Sequence, residues 1–169
     1  SPLETNALNP QSKPNQQDAI AAAFLMRAVA PLDKAILEKE KNTIIEAVES
    51  IGKRVAATKF NGSLNIRLSF DPLIGKMTIG DQLASLLNQR TYLFLFGDLD
   101  PERIYADSFT QDGKVIHYTE AHTINDANVV RVFSGTENGT EDSVVLYASD
   151  EVDAKKNAKA MQFLATTYK

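Results

Sequence analysis

A two-residue turn signal, Asp112-Gly113, stands between two runs of aromatic and β-branched residues. This combination predicts a β-hairpin. Both central residues of the favoured type I′ turn need positive φ, and aspartate followed by glycine is one of the few pairs that adopt it readily. The cross-strand neighbours then follow by counting outward from Gln111 and Lys114. The predicted pairs are Phe109 with Ile116, Asp107 with Tyr118, Tyr105 with Glu120, and Arg103 with His122.

The two faces of this hairpin differ in character, since side chains alternate between the faces of a strand. One face is small and mostly apolar, with His117 as its one histidine, and is suited to packing beneath a helix. The other face is both polar and aromatic, the mixture expected of a surface that binds a ligand or a partner. Its candidate binding residues are Arg103, Tyr105, Asp107, Tyr118, Glu120 and His122.

The order of patterns along the chain predicts an α+β protein. We expect a curved antiparallel sheet of about five to six strands, packed against N-terminal helices and a C-terminal helix. Residues 1–16 are rich in proline and polar residues and are predicted to form a disordered arm or linker. Residues 17–169 are predicted to form a single domain. Within that domain we expect a helical segment at 17–60, mainly sheet at 63–149 and a terminal helix at 150–168.

Individual elements carry their own signals. A helix is predicted from Leu32 to about Lys59, with a heptad-like apolar stripe that is expected to face the core and not a dimer seam. Thr78 followed by Asp81 predicts the start of a short helix. The run Tyr92–Phe96 is apolar on both faces and predicts a central strand. Strands at 128–134 and 143–149 are expected to extend the hairpin into a meander.

Composition excludes several classes of function. A net charge of −4 and a pI near 5.2 argue against general nucleic-acid binding, which depends on neutralising phosphates. The local basic cluster Lys53, Arg54 and Lys59 is predicted to be a solvated helix end. The chain has no apolar run near the roughly 20 residues that a spanning helix needs. A soluble protein is therefore expected, and the absence of cysteine fits the cytoplasm and an exported or periplasmic location equally well.

Motifs for a metal or a cofactor are missing. The lack of cysteine removes disulfides, thiolate ligands and a catalytic cysteine together. No phosphate-binding, dinucleotide-binding or serine-hydrolase motif occurs. The acidic loop Asp98 to Glu102 lacks the glycine and closing glutamate of a calcium loop. His117 and His122 fall on opposite faces of one strand, so they cannot share an ion. The sequence therefore predicts no metal and no cofactor.

Two hypotheses of function remain. The first is a non-enzymatic binding or assembly module that holds a protein partner or a small ligand on the polar face of the hairpin, with self-association as one form of partnership. The alternative is a small acid–base enzyme that uses paired carboxylates on the same face, with Asp107, Glu120 and His122 as the candidate catalytic residues. Enclosure of this face in a concave cup would favour the enzyme or a small ligand, whereas an open face would favour an interaction surface.

Overall fold

The computed structural model describes residues 29–58, 66–83, 89–134 and 137–169. These residues form an α+β structure with two antiparallel sheets, which confirms the predicted class. The helices are α1 (Lys34–Ala56) and α2 (Glu151–Thr167). The strands are β1 (Arg67–Asp71), β2 (Lys76–Leu83), β3 (Gln89–Leu95), β4 (Leu99–Gln111), β5 (Lys114–Thr123), β6 (Val130–Ser134), β7 (Glu137–Glu141) and β8 (Ser143–Ala148).

The strands divide between two sheets. Five of them pair in the order β1-β2-β3-β6-β7, and the other three in the order β4-β5-β8. Every pair is antiparallel. The described residues thus hold eight strands, more than the five to six expected. The part of the predicted helical segment that precedes residue 29 and the predicted arm at 1–16 lie outside the described residues.

Helix α1 begins at its N-cap Asp33, whose carboxylate accepts hydrogen bonds from the backbone nitrogens of Ala35 and Ile36. Four residues of its apolar stripe are 0–2% exposed within the protein: Ile44, Val48, Ile51 and Val55. Because they recur every three or four residues, they share one face of the helix. The prediction that this stripe faces the core is confirmed.

Strand β3 lies between β2 and β6, as its apolar sequence predicts. Tyr92, Phe94 and Phe96 point into the main core with α1, α2 and both sheets. Leu93 and Leu95 point the other way and pack against Phe133 of β6. A strand buried on both faces has no polar alternation, and this explains the continuous apolar run.

The β4–β5 hairpin turns at Asp112 and Gly113, whose φ angles are +51° and +75°. Positive φ at both positions is the condition for a type I′ turn. The pairs Phe109–Ile116, Asp107–Tyr118 and Tyr105–Glu120 all form as predicted. Strand β8 then pairs with the free side of β5 and places Tyr147 beside Tyr118.

Helix α2 packs beneath the small face of this hairpin. Its N-cap Asp150 accepts a hydrogen bond from the backbone of Asp153, and its alanine-rich side is buried. The Thr119 hydroxyl of β5, fully buried, donates to the carbonyl of Ala154 at 2.7 Å. The prediction of a terminal helix is confirmed. The prediction that a helix packs on the small face of the hairpin is confirmed as well.

The short helix predicted from Thr78 is wrong, because residues 76–83 form β2. This strand is paired on both sides, with β1 and with β3. Met77 and Ile79 enter the main core, and Thr78 between them is also buried. Ladder hydrogen bonds on both edges and burial of both faces outweigh a local capping pattern.

The predicted meander is also wrong, since β6 and β8 belong to different sheets. Strand β6 pairs with β3 and with β7, and β7 lies between β6 and β8 in the chain. Among the residues described, neither α1 nor α2 is long and apolar enough to cross a membrane.

Candidate functional site

The polar side of the β4-β5-β8 sheet, opposite α2, is the candidate site, here called the hairpin face. The cross-strand register brings its residues onto one surface. Strand β4 supplies Tyr105, Asp107 and Phe109, and β8 supplies Tyr147. Strand β5, in the middle, supplies Tyr118, Glu120 and His122.

A hydrogen-bonded cluster of three side chains lies at one end of the hairpin face. The Tyr105 hydroxyl donates to Glu120 Oε2 at 2.7 Å and lies 3.0 Å from His122 Nε2. The rings of Tyr105 and His122 stack with centroids 5.7 Å apart. The hydrogen bond to the Glu120 carboxylate raises the pKa of Tyr105 to about 12. Tyr105 therefore keeps its proton, and its role as a donor to Glu120, to a higher pH than an ordinary tyrosine.

The other end of the hairpin face is mainly aromatic. Phe109 and Tyr118 lie with ring centroids 5.8 Å apart and tilted by 51°. Burial, followed by the charge of Asp107, raises the pKa of Tyr118 above its usual value. Asp107 itself accepts a hydrogen bond from the backbone nitrogen of Ser108 at 2.8 Å. Glu120 and Asp107 thus have different hydrogen-bond donors, although the register makes them diagonal neighbours as predicted.

The predicted pairing of Arg103 with His122 is wrong, and the Arg103 side chain lies outside the cluster of Tyr105, Glu120 and His122. The register of β4 against β5 shifts between Leu99 and Ile104. Arg103 Nη2 instead donates to the carbonyl of Thr123 at 2.8 Å and to Asp126 Oδ1 at 2.6 Å. This hydrogen bond holds the pKa of Asp126 below its usual value. Arg103 therefore braces the turn that follows β5.

The hairpin face is open to solvent. Tyr105 and Phe109 each leave 40% of their surface exposed. The side chains of Glu120 and His122 keep 22% and 25% exposure. Rings exposed to this extent do not line a closed cup. His117 lies on the opposite face, as predicted, where it pairs with Ser108 and Ala148.

Phe109 and Tyr147 belong to the hairpin face but are not among the binding residues predicted from the sequence. Phe109 follows from the hairpin register itself, and its position two residues after Asp107 is the signal that would have found it. Tyr147 has no such signal, because the pairing of β8 with β5 joins segments about 30 residues apart.

Comparison of the chain with protein-family models, with curated proteins and with solved structures gives no match.

Proposed function

We propose that this protein is a non-enzymatic binding module that holds a protein partner on the hairpin face. The observation that carries the proposal is the exposure of two aromatic rings, Tyr105 and Phe109, on one open sheet surface. Single exposed apolar residues are ordinary on protein surfaces, but two exposed rings on one sheet face, each beside polar groups, are typical of an interaction site.

The chemistry of the hairpin face supports a protein as the partner. Tyrosine supplies a large contact area with few rotatable bonds and is enriched among the residues that dominate binding energy. Tyr105 is also held in place by Glu120 and His122, so little side-chain entropy remains to be lost on binding. The site is thus partly organised before a partner arrives.

Openness favours a protein over a small ligand. Small-molecule sites usually bury most of the ligand within a concavity. A face whose rings keep 40% exposure offers that kind of enclosure only when a second surface covers it. An extended protein surface can cover both the cluster around Tyr105 and the aromatic end at Phe109.

One observation favours the alternative, an acid–base enzyme. Glu120 and His122 both approach the same hydroxyl, that of Tyr105, and their own side chains are 3.7 Å apart. Such a group can move a proton if a substrate displaces Tyr105. A Glu120→Gln variant separates the two functions: it would abolish proton transfer, whereas partner binding would persist with at most a moderate loss of affinity.

The experiment is selection of binding peptides from a displayed library, followed by affinity measurement on variants. Phe109→Ser should weaken the selected peptides at least tenfold, equivalent to about 1.4 kcal/mol. Val152→Ser is the matched control, since Val152 is 59% exposed on α2, the helix that covers the opposite face. Equal affinity of both variants would contradict the proposal. The chemical-shift changes that a bound peptide causes in the protein should be confined to residues of β4, β5 and β8.

A further inference from the structure

A shallow groove of about 370 Å³ lies between α1 and α2, away from the hairpin face. The residues of α1 that line it recur every three or four positions and so share one side of the helix. From α1 these are Thr43, Glu46, Ala47, Ser50 and Arg54, and from α2 they are Lys156 and Lys159. We call this surface the helix groove.

Arg54 is held in the helix groove by a buried amide. Its Nε donates to Asn157 Oδ1 at 2.6 Å, and Asn157 is fully buried. Because a guanidinium can only donate, the amide oxygen must face it, so the amide Nδ2 points elsewhere and has no partner within the described residues. One edge of Arg54 is thereby fixed. Its two terminal nitrogens make no hydrogen bond to the described part of the chain.

The charge of the helix groove is not balanced locally. Among the described residues that line it, Arg54, Lys156 and Lys159 outnumber the one acidic residue, Glu46, and Asp153 near Arg54 leaves the surface with a net positive charge. Burial lowers the pKa of Arg54 even though the charge of nearby Asp153 acts in the opposite direction. Lys155, the residue before Lys156, has its charge balanced by an ion pair, because its Nζ lies 2.8 Å from Glu151 Oε1. Lys156 and Lys159 have no such ion pair within the residues that the structure describes.

We infer that the helix groove is a binding site for an oxyanion of the phosphate class, carried by a small phosphorylated molecule. A guanidinium fixed at Nε presents its two terminal N–H groups as a fork, the geometry that binds phosphate oxygens in pairs. Lys156 and Lys159 add charge from the facing helix. The hydroxyl of Ser50, one helical turn before Arg54, adds a neutral donor on the same side of α1. This site is independent of the hairpin face and of the proposed function.

The test is a titration of the isotopically labelled full chain with inorganic phosphate and then pyrophosphate, followed by NMR at constant ionic strength. Saturable shifts should appear at Arg54, Lys156 and Lys159. Arg54→Gln should weaken binding at least tenfold, and Lys159→Gln should weaken it several-fold. Lys155→Gln is the matched control, because it removes the same charge from the same helix outside the groove, and it should bind as the parent does.

Three outcomes would overturn the inference. The first is shifts that grow linearly without saturation. The second is an equal loss in Lys155→Gln and Lys159→Gln, which would reveal only general attraction to positive charge. The third is binding to phosphatidylserine vesicles without binding of free phosphate or pyrophosphate, which would indicate a membrane surface as the source of the anion. Lys159 is exposed, so its variant remains informative if Arg54→Gln does not fold.

Discussion

Tyr105 donates its phenolic hydrogen to Glu120 across the β4–β5 pair, with 2.7 Å between the two oxygens. This bond joins the two strands at the residues that the hairpin register places opposite each other. It also gives the hairpin face a titration that differs from that of an ordinary tyrosine.

The first prediction concerns this titration. The pKa of Tyr105 rises from 10.0 to about 12 in the folded protein, mainly through its hydrogen bond to Glu120. Because the pKa of Tyr105 is higher in the folded protein than in the unfolded chain, this hydrogen bond stabilises the folded protein fully below pH 10. Its contribution is lost as the pH rises through about 12. Glu120→Gln should move the Tyr105 midpoint back toward 10, as followed by the ¹³C shift of Cζ. The exposed control Glu38→Gln should leave it unchanged; a similar shift in both variants would exclude Glu120 as the cause.

The second prediction concerns the hairpin turn. Gly113 has a φ of +75° and no atom within 4 Å of the position that a Cβ would occupy. Gly113→Val should therefore destabilise the protein by more than about 1 kcal/mol through backbone conformation alone. Gly139→Val is the control, because Gly139 lies in β7 with equally open space and without positive φ. Unchanged thermal stability of Gly113→Val would show that this turn does not set the register.

The third prediction concerns a second glycine, Gly75, in the turn between β1 and β2. Its φ is +69°, and an added Cβ would lie 2.6 Å from the ring of Tyr168. Gly75→Ala should cost about 2 kcal/mol or more in chemical denaturation, because backbone strain and a clash add together. Gly113→Ala, which meets the strain without the clash, should cost clearly less. Equal losses would mean that the Tyr168 ring moves aside freely.

The fourth prediction concerns the stripe on α1. Ile44 is fully buried among residues of the same chain, so Ile44→Asp should unfold the protein by placing a charge in the core. Ile36→Asp is the matched control, since Ile36 lies in the first turn of α1 and is 45% exposed. Circular dichroism and analytical ultracentrifugation would report both variants. A folded monomer from Ile44→Asp, with a dimeric parent, would assign the stripe to a dimer interface.

The elements that follow from the sequence are those decided by neighbours along the chain. Asp112-Gly113 needs only its own φ angles to start a hairpin, and the alternation on each side then fixes which residues share a face. Helix α1 carries an N-cap and an apolar stripe within 23 residues. Most of the hairpin face was predictable for the same reason, since Tyr105, Asp107, Tyr118 and Glu120 lie within ten residues of the turn.

Tertiary structure decided the features that depend on distant partners. Residues 76–83 carry a helix-like start at Thr78, but they become β2 because β1 and β3 offer backbone partners on both edges. The assignment of β6 and β8 to different sheets, the register shift that turns Arg103 toward Asp126, and the arrival of Tyr147 beside Tyr118 have the same origin. Local conformational preferences amount to about 1 kcal/mol per residue or less. The hydrogen bonds and buried area gained when distant segments pair exceed them, and a single sequence does not state which segments will meet.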